Sequence, residues 1–182
     1  FIGVFMKKTS FILVALAMVA MLFGCSGAEQ ILSGSTFSTT DSYTEEDLSI
    51  TSNLSFAFNK DGTGTMTSTS TETDGSDSFN ITYTMNFSWT TDDSTVTISG
   101  SSFSCAGTDG TDTYTYTETE DITLVGTLEK KTLSFSYDYN GENETNFYIC
   151  CFDCAAYYKW YSECSAYDDY SSCPVFTISL TK

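Results

Sequence analysis

Histidine and arginine are both missing from the 182-residue chain: the His count is 0, and the seven basic residues are all lysine. Without imidazole the commonest proton-transfer group near neutral pH is lacking, and without guanidinium no bidentate clamp for carboxylate or phosphate can be built. Most familiar enzyme sites are excluded on that ground, and the chain reads as a non-enzyme. Positive charge is scarce altogether. Seven Lys against 24 Asp+Glu leave a formal net charge of -17 and a pI near 4.1, which excludes nucleic acid as a partner because the cationic surface that supplies such affinity is lacking. Long hydrophobic runs are also few. The apolar stretch 11–23 is too short to cross a bilayer as a mature helix, and no later stretch holds apolar residues at helical spacing over three turns. What remains is rich in Thr, Ser and aromatics, with 14 Phe and 12 Tyr, a composition that buries a core rather than staying disordered.

Targeting comes first along the chain. Met6-Lys7-Lys8 followed by the apolar stretch reads as the start and core of a signal peptide. The stretch ends Leu22-Phe23-Gly24-Cys25-Ser26, which resembles the lipobox of bacterial lipoproteins: an apolar residue three before the cysteine, a small residue directly before it, then the cysteine to be lipidated. The resemblance implies a signal peptide over 1–24, a lipidated tether over 25–30, and a body over 31–182. Acyl chains on Cys25, at about 0.8 kcal/mol per buried methylene, would hold even so acidic a chain on a membrane. The expected location is the bacterial cell envelope, at the outer membrane or cell surface.

The body is written in period two. Phe79, Ile81, Tyr83, Met85, Phe87 and Trp89 alternate with polar residues, the signature of a strand with one buried face. Leu48, Ile50, Leu54, Phe56 and Phe58 repeat the pattern with Ser52 as a gap. Leu133, Phe135, Tyr137 and Tyr139 follow it too, as do Phe176, Ile178 and Leu180. Weaker strands are expected over 35–40, 63–71, 95–99, 113–119, 122–128 and 145–150, about nine to eleven in all. Turn residues separate them, among them Asn59-Lys60-Asp61-Gly62, Asp74-Gly75-Ser76-Asp77 and Asn140-Gly141. Short connections favour antiparallel neighbours, and closing the meander removes its edges. The expected fold is all-β, an antiparallel meander closing into an up-and-down β-barrel with a Cys-rich loop before the last strand; a β-sandwich is the alternative.

The segments Ile31-Leu32-Ser33-Gly34-Ser35-Thr36-Phe37, then residues 54–65 with their Asn-Lys-Asp-Gly turn, then Phe87-Ser88-Trp89, resemble the bacterial lipocalin-like lipoproteins. The likeness spans about residues 31–140. Phe37 stands where that family usually has Trp, and the Arg that packs beneath that aromatic is missing. The resemblance implies a small envelope barrel with an end-opening cavity and an apolar ligand inside it.

Six cysteines besides Cys25 remain, Cys105, Cys150, Cys151, Cys154, Cys164 and Cys173. An even number in an exported chain reads as disulfides, and because five of them lie in 150–173, complete pairing needs Cys105 to bridge to that cluster. Cys151-x-x-Cys154 with Cys164 and Cys173 is the competing thiolate metal site, and a redox Cys-x-x-Cys is weaker because it usually opens a helix. Between the cysteines, Tyr157, Tyr158, Trp160, Tyr161, Tyr167 and Tyr170 are the candidate binding residues, able to stack on sugar rings or grip a protein surface, or else to form the small core of a stapled loop. The acidic turns match no calcium loop, and no cofactor is asked for. The function expected is a lipid-anchored module binding an apolar small molecule, or a surface protein or glycan. The alternative is a structural or adhesive lipoprotein whose barrel is filled. Palmitate supplied to expressing bacteria should be incorporated into the chain, and Cys25→Ser should abolish the label while leaving the signal peptide uncleaved on a gel.

Overall fold

The computed structural model describes residues 27–138, 146–164 and 174–182; Cys25, Tyr167, Tyr170 and Cys173 lie outside them. A short helix, α1 (Gly27–Leu32), leads into β1 (Ser35–Glu45), β2 (Leu48–Phe58), β3 (Thr63–Asp74) and β4 (Asp77–Asp92). Shorter strands follow: β5 (Thr95–Gly100), β6 (Phe103–Thr108), β7 (Thr113–Glu118), β8 (Ile122–Glu129) and β9 (Thr132–Tyr137). Two helices, α2 (Phe147–Phe152) and α3 (Cys154–Cys164), precede the last strand, β10 (Phe176–Thr181). The expected turns form where Gly and Asp ask for them. In the β2–β3 turn Gly62 takes a positive φ of 81°, while Asp61 Oδ1 accepts from the N–H (3.0 Å) and the hydroxyl (2.6 Å) of Thr63.

All pairings are antiparallel, and the order β3-β2-β1-β10-β9-β8-β5-β4, with β3 also paired to β4, closes an eight-stranded barrel. The β-sandwich alternative is therefore set aside. β6 and β7 are extra. β4 pairs with β5 through Ser88↔Ser99 and with β6 through Met85↔Phe103, so β5–β6 carries one residue more than β4 over that stretch. A matching extra residue falls between β7 and β8, from Phe103↔Glu118 to Gly100↔Ile122. Bulges of this kind bend strands, and here they turn the β6–β7 hairpin into an extension of β4 that no longer follows the barrel wall. The strand β6 has no counterpart in the sequence expectation, because Cys105, Ala106 and Gly107 carry little β propensity.

Inward residues of alternate positions make the core. Phe37, Phe56, Phe58, Met66, Met85, Ile98, Leu124, Leu133 and Phe135 are all buried. Ring contacts link them: Phe56 lies 5.3 Å from Phe135 and 5.9 Å from Phe87, and Phe58 meets Phe37 and Trp89 edge-on. Phe37, at the family's usual Trp position, is fully buried against Phe58. The glycine at 64 makes room for one of these rings, since a Cβ there would lie 2.3 Å from Phe87.

Two expectations need correction. The stretch 25–30 is not a free tether from residue 27 onward: Ala28 and Leu32 of α1 are buried in the core cluster, so α1 closes one barrel end. The Cys-rich segment is not a loop with a strand before it, because 147–152 and 154–164 are helical. At six and eleven residues these helices are too short to be stable alone, and their formation depends on tertiary packing.

The helices fill a break in the wall. β9 pairs with β8 only from Gly126↔Phe135 to Glu129↔Thr132, and beyond that the two strands part. The side chain of Asn146, just before α2 and almost fully buried, spans the split: its Oδ1 accepts from Val125 N–H (2.8 Å), and its Nδ2 donates to the carbonyls of Val125 (2.9 Å) and Ser136 (2.7 Å). One amide thus replaces a rung of the ladder. Replacing it with alanine would leave three part-buried backbone groups, the Val125 N–H and the carbonyls of Val125 and Ser136, without this partner, where a fully buried unpaired group costs about 1–3 kcal/mol. Asn146→Ala is expected to lower unfolding stability by at least about 2 kcal/mol in urea denaturation, with Asn146→Asp recovering only part of the loss because a carboxylate cannot donate to the two carbonyls.

Candidate functional site: the helical cap at the barrel mouth

The inward face of β2 and β3 changes character towards the end away from α1. Ser52, Ser68 and Ser70 replace the apolar residues of the lower barrel, and all three are buried. Ser52 therefore does not interrupt the strand; it marks the place where a backbone must be received. Its hydroxyl accepts from Ala155 N–H at 2.9 Å and shares a hydrogen bond with Ser70 at 3.1 Å. Ser68 donates to the carbonyl of Phe152. The α2–α3 junction is thus seated on a row of hydroxyls, which satisfy the helix ends left over by intrahelical bonding.

Apolar contacts hold the same junction from the other side. Phe152, fully buried, meets Tyr83 at 6.0 Å and Phe103 at 5.8 Å, and Tyr148 meets Phe103 at 6.1 Å. Tyr148 also donates to Glu120, which helps push its hydroxyl pKa up to about 12. On α3, Trp160 packs on Phe176 at 5.8 Å and donates to the carbonyl of Pro174 at 2.6 Å. The barrel interior is consequently occupied along its length, by aromatic rings near α1 and by the cap at the mouth.

The sequence-predicted binding residues divide accordingly. Trp160 is core, not surface, and Tyr157 is half-buried. Tyr158 and Tyr161 are exposed, at 37% and 44% of their surface. They form a patch with their neighbours: Tyr158 lies 6.1 Å from Tyr43 of β1, and Tyr161 stacks on Tyr157 at 6.0 Å. Tyr43, which the sequence reading overlooked, is brought in only by the strand register and donates to Glu45. Beside the patch, between α3 and the start of β10, runs a shallow groove of about 270 Å³ bordered by Asp41, Lys159 and Glu163.

The cysteines behave differently from expectation. Cys105, Cys150, Cys151 and Cys154 are free thiols, so the expected bridge from Cys105 to the cluster is not formed: Cys105 sits on β6, opposite Tyr116 of β7. Cys164 is disulfide-bonded, to none of the other described cysteines. Cys154 does open a helix, as a redox pair would, yet its thiol and that of Cys151 are pushed up by burial, and Cys150 is pushed up to about 12 by burial and the adjacent Cys151. Burial outweighs the helix terminus and disfavours the reactive thiolate at all three. Among the described residues no group of three or more His, Cys, Asp or Glu could hold a metal ion.

At pH 8 Cys150 should resist iodoacetamide in the folded protein and react on unfolding without reductant, as read by peptide mass spectrometry. Protection that persists in denaturant until reductant is added would instead mean a disulfide. No protein family, curated protein or solved structure matches the chain.

Proposed function

We propose that the protein is a lipid-anchored envelope module that binds a surface partner through the tyrosine patch of its cap. The observation that carries this reading is the combination of a filled barrel with exposed tyrosines on the end opposite α1. An apolar ligand inside would have to displace either the aromatic layer around Phe56 or the cap residue Phe152, both fully buried. Large buried rings favour a wall-to-wall core over a ligand cavity.

Charge placement supports the same orientation. Lys60, Lys130 and Lys131 lie in the β2–β3 and β8–β9 turns at the α1 end, and Lys182 Nζ donates to the carbonyl of Ile31 in α1. The turns of the other end carry Glu45, Glu46, Asp47, Asp74, Asp77, Asp109 and Asp112. Acyl chains on Cys25, two residues before α1, would hold the α1 end at the membrane; its four lysines are offset by Glu29, Asp61, Asp92, Asp93 and Glu129, so that end is close to neutral, and repulsion from anionic lipid would turn the more acidic, tyrosine-bearing end outward. Tyrosine faces beside Glu72, Glu45 and Glu163 suit a partner surface carrying basic side chains, which gain both cation–π and ion-pair contacts.

A photo-crosslinking amino acid at position 161 should capture a discrete host envelope protein, and Tyr158→Ser with Tyr161→Ser should weaken binding to that purified partner by at least about tenfold with little change in thermal stability. In native mass spectrometry after incubation with a host lipid extract, the chain should appear without a stoichiometric apolar adduct. A retained lipid together with undiminished partner binding in the double variant would overturn the proposal in favour of a ligand carrier.

A further inference from the structure

The geometry points to a single proton held between Asp153 and Asp41 as the latch that seats the helical cap in the barrel mouth, with loss of that proton to solvent releasing the cap. The inference goes beyond the partner reading and does not depend on it. Asp153 is the one residue between α2 and α3 and is fully buried. Its Oδ1 accepts from Ala156 N–H at 3.1 Å, and its carbonyl accepts from Tyr157 N–H at 2.9 Å, so it both caps and begins α3. Its Oδ2 is buried with no hydrogen-bond partner, a costly arrangement for an ionised carboxylate.

The surroundings identify what completes it. From β1, Asp41 borders the same groove as Ala156, whose N–H Asp153 caps, and its carboxyl group acts on Asp153, as does the Ser52 hydroxyl of β2. On α3 the neighbouring titratable group is the Cys154 thiol, on which Glu72 of β3 also acts. Lys159 and Glu163 share the groove that Asp41 borders. Two facing carboxyl groups in a seam of this kind are stable when they share one proton: the Asp153 O–H then donates to Asp41, the orphaned oxygen is satisfied, and like-charge repulsion disappears. Burial above all, with Asp41 adding to it, pushes Asp153 up from an ordinary 3.8 to about 7.

The direction of the pH effect follows. Between roughly pH 4 and 7 the seated cap holds a proton that the released cap does not, so seating is fullest below about pH 4 and weakens as pH rises through 7, above which the effect levels off. Across that window the cap-opening equilibrium constant should rise by up to about tenfold per pH unit.

The test uses the full chain in detergent micelles. Carbon-13 carboxyl NMR should show Asp153 titrating near 7, and hydrogen exchange, corrected for intrinsic rates, should show amides of 147–164 losing protection over the same range while β2 and β3 stay protected. Asp153→Asn retains the capping oxygen and supplies a permanent N–H toward Asp41, so it should keep the cap protected at pH 8 and flatten the profile. An Asp153 carboxyl titrating near 4 in the wild-type protein would overturn the latch whether or not the variant folds, as would a pH profile of protection unchanged in a folded Asp153→Asn.

Discussion

A barrel closed by strands of unequal length governs the rest of this structure. β1 to β4 run 11, 11, 12 and 16 residues, whereas β9 and β10 have six each. At roughly 3.3 Å per residue, the strands of the described residues complete the wall at the α1 end and leave it open on one side at the other. Exposed strand edges and an open apolar interior are both unstable, so something has to occupy that space. The α2–α3 cap does so. Asn146 stitches the point where β8 and β9 part, and the bulges that bend β6–β7 away leave room for Phe152 between Tyr83 and Phe103.

The two ends of the barrel are consequently held by different physics. Near α1 the stabilisation is apolar burial of rings from β1, β2, β4 and β9, a non-directional force with little dependence on pH. At the mouth the contact is a polar seam, in which Ser52, Ser68, Ser70 and Asp153 meet the ends of short helices. Polar seams require every group to be satisfied at once, and one orphaned oxygen matters more there than a missing methylene does in the core. Such a seam also opens at lower free energy than the sheet it sits on. The cap therefore carries the exposed tyrosines on a seat held by polar contacts rather than by the apolar core.

Free cysteines fit this division. Cys150, Cys151 and Cys154 line the cap near the seam, where burial raises their pKa values and keeps them as thiols. Cys150 serves as a small apolar filler of the core, the usual role of a buried free cysteine, while Cys151 and Cys154 are half-buried, and the aromatic residues around them divide between the cap's own core, represented by Trp160, and its outer surface, represented by Tyr158 and Tyr161.

The sequence by itself determined an all-β antiparallel meander and most of its strands; closure as a barrel rather than a sandwich was decided by the pairing of β3 with β4. Alternation in residues such as Phe79 to Trp89 follows from the two-residue repeat of an extended chain, and the Asn-Lys-Asp-Gly turn from the backbone freedom of Gly62 and the side-chain acceptor of Asp61; both are local and so can be read locally. Of the candidate site, Tyr158 and Tyr161 stood among six candidate aromatics that the sequence could not sort into exposed and buried, and the gap at Ser52 was visible without its meaning. Only the tertiary structure decided that the Cys-rich segment is helical, that Trp160 turns inward, that Cys105 stays unpaired, and that Asp153 meets Asp41 across more than a hundred residues of chain. Each of these depends on which surfaces the closed barrel leaves uncovered, a property of strand lengths and register taken together that no single window of sequence contains.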